Sequence, residues 1–217
     1  MSIRGLAFFD IDGTLVPSMS SSGFLAERLG HVHELDHAEA HYAAGKLTNA
    51  QVSVIDARGW RGASIEAIDG WLCDLPLIAD IDVVVSWCRN NQIEPVLASL
   101  AWQPVSDSIA RRLGFTPNGG PRVGISNSIY DGTVAEHFDE YDKRDRAIAL
   151  AIDRHVPLER CCAIGDSRSD IPLFNALSAS LALNANVTAQ EAATAAMNTQ
   201  NLGEIVPWLE EWVRSFR

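Results

Sequence analysis

The sequence predicts an α/β fold, a doubly wound parallel sheet carrying a small helical cap domain, and three observations predict it. Four short apolar runs, at residues 6–9, 93–98, 161–164 and 180–183, each stop at a polar or glycine residue; runs of that length bounded by turn formers read as buried strands. Segments with helical patterning at 83–90, 106–113, 144–154 and 171–177 alternate with them, which is the arrangement of parallel strands joined by crossover helices. The alternation breaks once, between residues 17 and 76, where helical segments follow one another with no convincing strand.

Taken in order, the first run ends in Asp10-Ile11-Asp12-Gly13-Thr14, which places two carboxylates at the C-terminal end of a buried strand. The helical segments around 23–29, 34–44, 49–57 and 65–73 form the inserted cap, so residues 17–76 are the cap domain and residues 1–16 with 77–217 the core. The second run ends at Ser99, the third in Gly165-Asp166, the fourth at Asn184. Segments 123–130 and 133–138 flank Asp131-Gly132, a hairpin turn signal. The Ala-rich stretch 188–197 reads as helix. Near the C-terminus, Ile205, Trp208, Leu209, Trp212, Val213 and Phe216 make an apolar stripe at helical spacing. It is read as packing on its own sheet, with a dimer face as the alternative, so the assembly expected is a monomer or homodimer. Ligands of such sheets bind outside the carboxyl ends of the strands, where every polar cluster just named falls.

The chain has 217 residues, 47% hydrophobic and 21% charged, enough to bury a sizeable core. Seventeen Lys plus Arg against 28 Asp plus Glu leave a net charge of −11, with the basic residues scattered. Such a surface repels phosphate backbones, which argues against nucleic acid and anionic membranes as partners. Cys73, Cys88, Cys161 and Cys162 form no C-x-x-C and are read as reduced thiols. Asp10 interrupts any N-terminal leader, and no apolar run approaches the ~18 residues of a membrane span; a cytoplasmic location is expected.

Asp10 and Asp12 carry the chemistry. Like charges this close drive each other toward the neutral form unless a cation lies beside them, so the pair predicts a metal. Hard carboxylate oxygens without a nearby histidine favour magnesium. Asp166 and Asp170, at another strand end, can complete the cluster. Ser99 ends a strand expected beside the first, and Lys143 heads the helix after the hairpin. A hydroxyl and an ammonium beside a bound cation make a receptor for a phosphoryl group.

Four segments, Phe9-Asp10-Ile11-Asp12-Gly13-Thr14-Leu15-Val16, Val96-Leu97-Ala98-Ser99, Lys143, and Gly165-Asp166-Ser167-Arg168-Ser169-Asp170, resemble the ordered motifs of the haloacid dehalogenase superfamily, whose core is Rossmann-like. The helical insertion after the first motif resembles the cap of its phosphoserine phosphatase-like branch. The resemblance implies a magnesium-dependent phosphatase acting on a small phosphorylated metabolite. Asp10 would be the nucleophile that forms an aspartyl-phosphate; Asp12 would be the acid that protonates the leaving alkoxide and then the base that activates water. Magnesium would be held by the Asp10 side chain, the Asp12 backbone carbonyl and Asp166. Ser99, Leu100 and Lys143 would bind the phosphoryl oxygens, with Asp170 behind them orienting Lys143 or metal waters. A phosphotransferase or mutase on the same fold is the alternative, and a non-catalytic phospho-receiver is the alternative from another class.

The chain departs from the branch in two places. Leu100-Ala101-Trp102 stands where glycines usually follow the serine, and Met19 stands where a glutamate usually holds the substrate ammonium. Phosphoserine is therefore expected to be a poor substrate, unless Asp56, Glu34 or another cap acid replaces that carboxylate from a different helix. His31, His33, His37 and His41 cluster in the cap, with His37 and His41 at i, i+4 as in zinc sites; no cysteine lies near them, and a polar cap surface is the plainer reading.

Overall fold

A computed structural model describes residues 3–17 and 19–216; Met1 and Ser2 of the N-terminal stretch, Ser18 and Arg217 lie outside the described residues. Its centre is strand β1 (Gly5–Phe9), whose five residues are all buried. An uninterrupted apolar strand has both faces covered, as parallel sheets require. β1 pairs in parallel with β2 (Ile93–Leu97) on one side and β6 (Cys161–Gly165) on the other. Beyond these lie β3 (Thr116–Pro117) next to β2, and β7 (Ala179–Leu183) then β8 (Ala195–Met197) next to β6. The six-stranded order is β3-β2-β1-β6-β7-β8, the doubly wound sheet that the alternation predicts.

Period-two alternation sorts β1 between two cores. Ala7 and Phe9 face a large cluster holding Phe24, Trp60, Ile68, Leu97, Trp102 and Leu209, whereas Leu6 and Phe8 face a smaller one with Val96, Ala147, Ala151, Leu173 and Phe174. Helices α5 (Ile81–Asn90), α6 (Gln103–Leu113) and α10 (Val206–Arg214) contribute to the first, and α7 (Glu140–Asp153), α8 (Ile171–Phe174) and α9 (Val187–Ala192) to the second. Leu209 and Trp212 are buried on α10, and Trp208, Val213 and Phe216 pack against the same core, so the C-terminal stripe is used on its own sheet.

Between β1 and α5 the chain builds α1 (Ser21–Leu29), α2 (Val32–Ala43), α3 (Asn49–Gly59) and α4 (Ile65–Leu72). Ser20, Thr48 and Ser64 cap α1, α3 and α4 through their hydroxyls, and Gly30 ends α1 at φ 81°. The excursion closes where the Ile78 amide donates to the Leu15 carbonyl at 2.9 Å. No helix among the described residues is long and apolar enough to cross a membrane.

Two local expectations are corrected. The hairpin of β4 (Arg122–Ser126) and β5 (Ile129–Glu136) turns at Asn127-Ser128, with φ of 51° and 63°, not at Asp131-Gly132. Asp131-Gly132 is the stronger signal for a turn with positive φ, but pairing of Ile125 with Tyr130 fixes the register and leaves Gly132 inside β5, where a side chain would collide with Arg61. The Ala-rich stretch is helical only to Ala192. Thr194 then clamps onto Ser180 through three hydrogen bonds of 2.8–3.0 Å, and residues 195–197 add an edge strand to β7.

Candidate active site

The C-terminal ends of β1, β2 and β6 are neighbours, so Asp10, Ser99 and Asp166 emerge side by side. The strand ladder runs one residue further on both sides: the Asp10 amide donates to the Ile164 carbonyl at 2.9 Å and the Ala98 amide to the Phe9 carbonyl at 2.8 Å. After Asp10 the backbone folds into a tight loop in which Thr14, Leu15 and Val16 all donate to the Ile11 carbonyl. Gly13 sits there at φ 81°, and a Cβ on it would lie 2.2 Å from the Asp166 carboxylate. Only glycine meets both demands.

Lys143, in the first turns of α7, is 1% exposed. Its ammonium donates to Asp170 Oδ1 at 2.5 Å and stands 3.1 Å from Asp10 Oδ1. Burial pulls its pKa down, but Asp10 and Asp170 outweigh that and hold it above the ordinary value. The other Asp170 oxygen accepts from the amides of Asp166 and Ser167 at 3.0 and 3.1 Å. Gly165 keeps room for this carboxylate, since a Cβ there would lie 2.2 Å from it. Asp170 thus fixes both Lys143 and the loop after β6.

The Asp12 side chain reaches the start of α1, where Oδ1 accepts from the Ser21 amide at 2.6 Å and Oδ2 from the Ser21 hydroxyl at 3.1 Å. Burial pushes its pKa up to about 7, moderated by the Ser21 amide and reinforced by Asp10. Ser99 is 2% exposed, and its Oγ accepts from the Ala101 amide at 3.1 Å.

The oxygens that Asp10, Asp166 and Asp170 offer lie within 4.8 Å of one another. Three carboxylates face one ammonium there. Burial first, then Asp10, drives the Asp166 pKa up to about 8, and its Oδ1 is buried without a hydrogen-bond partner. An all-oxygen set with three carboxylates to one ammonium fits a hard divalent cation such as magnesium. Among the described residues, no other cluster of this kind occurs.

A cavity of about 520 Å³ opens above Asp10, Asp12 and Ser99, roofed by α2 and α3. Leu100, Ala101 and Trp102 line it, as the loop sequence predicts, while Met19 packs against the core and does not. Sequence reasoning missed Glu39 and Tyr42 of α2, which also line it. Glu34 is exposed on the first turn of α2 and is not part of the lining. Asp56 does line the cavity, but its carboxylate is committed: Oδ1 pairs with His31 Nε2 at 2.7 Å and accepts from the Trp60 indole at 3.2 Å, and Oδ2 accepts from the Trp102 indole at 2.6 Å. Glu39 receives one hydrogen bond, from Ser20 Oγ at 3.2 Å, and burial raises its pKa. His37 and His41 stack edge to face, 4.3 Å between centroids, on the outer side of α2. At the rim, Arg168 lies over the Tyr42 ring at 4.2 Å.

The sequence pattern described as haloacid dehalogenase-like hydrolase matches residues 7–175. The probable phosphatase Rv3661 of Mycobacterium tuberculosis is 26% identical over 200 residues, 80% of this chain and 67% of that protein. Among solved structures, a phospho-aspartyl intermediate analogue of phosphoserine phosphatase superposes with a TM-score of 0.84 at 20% identity, covering 95% of this chain and 99% of the other. A substrate-bound phosphoserine phosphatase complex gives 0.84 at 20% identity, with 96% and 99% covered. A Salmonella enterica hydrolase of the same family gives 0.87 at 14% identity, with 95% and 71% covered.

Proposed function

The chain belongs to the haloacid dehalogenase-like hydrolase family, and on that premise we propose that it is a magnesium-dependent phosphatase that hydrolyses a small phosphomonoester through an aspartyl-phosphate on Asp10. The observation that carries this reading is the buried Lys143 ammonium held between Asp10 and Asp170 at the point where three strand ends meet. A nucleophilic carboxylate whose neighbouring cation is fixed by a second carboxylate suits attack on an anionic phosphoryl group.

In this mechanism Asp10 attacks phosphorus and the ester oxygen leaves with its bonding electrons. Asp12, oriented by two hydrogen bonds from Ser21, gives that oxygen a proton and later takes one from the water that hydrolyses the aspartyl-phosphate. Ser99 and Lys143 hold the phosphoryl oxygens beside Leu100, and Asp170 keeps Lys143 in place. Asp10, the Asp12 carbonyl and Asp166 would hold magnesium, which supplies charge neutralisation at the phosphoryl group. Residues 17–76 act as the cap, since α2 and α3 roof the cavity over Asp10.

Phosphate release from a panel of phosphorylated metabolites, with and without magnesium, tests the reading. Release that stops in chelator and returns with magnesium is the result expected. No release from any member, or full activity in excess chelator, would overturn it.

A further inference from the structure

The cavity above Asp10 has an uneven charge distribution that bears on the substrate. Of the acidic groups along its α2 and α3 walls, Asp56 has both oxygens occupied by His31, Trp60 and Trp102. Glu39 has one oxygen engaged by Ser20, and the other accepts no hydrogen bond from any described residue. Among the described residues, no Lys, Arg or His pairs with Glu39. Its charged neighbours are the carboxylates Asp56 and Asp36, and it is itself close enough to Asp12 to raise that group's pKa. A part-buried carboxylate facing a catalytic cavity without a counter-ion is an acceptor for a cationic or proton-donating ligand.

The same cavity is poor in positive charge. Among the described residues that line it, Arg168 is the one cation, and it lies exposed at the rim with Nε donating to the Tyr42 hydroxyl at 3.3 Å. The rest of the organic compartment is neutral: Leu35, Ser53, Asn49, Val52 and the Trp102 ring. A substrate carboxylate lodged beneath α2 would meet the carboxylates Glu39 and Asp56 and no cation among the lining residues of α2 and α3.

We propose that Glu39 is the specificity-determining carboxylate of this site and that the substrate is the phosphate ester of an amino alcohol, carrying an ammonium and no carboxylate. This deepens the phosphatase reading and rests on it. It also replaces the reasoning drawn from Met19: the carboxylate absent from that position is supplied by α2, and what phosphoserine lacks here is a partner for its acid rather than for its amine.

The test measures kcat/KM for ω-aminoalkyl phosphates of increasing length, each against its uncharged n-alkyl phosphate isostere, together with phosphoserine and p-nitrophenyl phosphate, in the wild type and in Glu39→Gln. A charge-assisted contact that is absent from the isostere predicts an amine-to-alkyl ratio of about 10 or more at the best length. In Glu39→Gln that ratio falls toward one, and phosphoserine stays below the best amine in the wild type. A ratio near one at every length, a ratio unchanged by Glu39→Gln, or phosphoserine ranking first would overturn the proposal while p-nitrophenyl phosphate turnover leaves the phosphatase reading standing. Absence of turnover on p-nitrophenyl phosphate and on every ester would remove both.

Discussion

The Trp102 indole donates to Asp56 Oδ2 at 2.6 Å across 46 residues of sequence, with both side chains buried. Trp102 follows Ser99 and Leu100 at the end of β2, and Asp56 lies on α3, so one hydrogen bond ties the loop after β2 to the helices above it. His31 and Trp60 complete the set around the carboxylate, and the Trp60 ring packs against Trp102 at 5.8 Å and Tyr130 at 5.0 Å.

Asp56→Ala leaves the buried His31, Trp60 and Trp102 donors without their acceptor. Buried unsatisfied groups cost about 1–3 kcal/mol each, and at this size each kcal/mol moves Tm by about 2–4 °C. A thermal melt is expected to show a fall of about 6 °C or more. A fall under about 2 °C would mean that the network contributes little to holding α3 against the loop.

Under the proposed function, magnesium bound at the Asp10–Asp166 cluster would relieve repulsion that exists only in the folded chain. At a concentration about 100 times Kd it adds about 2.7 kcal/mol of stability, read as a Tm rise of about 5–10 °C. Asp166→Asn should lose most of that rise. An equal rise in the variant would place the metal elsewhere.

The strand-end acids were readable because a carboxylate pair closing an apolar run has few structural uses, and Ser99 and Lys143 gained meaning from their order along the chain. Glu39 and Tyr42 were not readable: α2 mixes polar and apolar residues as any solvated helix does, and only its place over the strand ends puts them in the cavity wall. The ring of donors around Asp56 was equally hidden, since His31, Trp60 and Trp102 meet only after α3 packs on the β2 loop. Asp131-Gly132 outranks Asn127-Ser128 on paper as a turn signal, and strand pairing overrides it by fixing Ile125 opposite Tyr130.

In the proposed mechanism, Asp12→Ala removes the proton donor to the leaving oxygen. The loss in kcat/KM should be about 10²-fold or more for alkyl phosphates and clearly smaller for aryl phosphates, whose leaving groups need less protonation. Steady-state kinetics on both classes provide the check. An equal loss across leaving groups would assign Asp12 a different role.

Burial pushes the Cys88 and Cys161 thiols up to about 12 and Cys162 well above its ordinary value, while Cys73 is exposed. Near pH 8 the buried thiols hold no appreciable thiolate, the reactive form. A thiol-specific reagent should label Cys73 alone in the folded protein and all four cysteines in denaturant. The unfolded thiols ionise near 9.0, so the folded state binds more protons above that pH and stability falls as pH rises past it. Rapid native labelling of Cys88 would contradict the packing.

The central claim is that Asp10 is the nucleophile, and the rate of phosphate release by Asp10→Asn on the best phosphomonoester with magnesium tests it most directly. Removing a covalent nucleophile while keeping its shape should lower turnover by at least about 10³-fold, with the melting behaviour showing the variant folded. Turnover in a folded Asp10→Asn at a tenth of the wild-type rate or more would contradict the account.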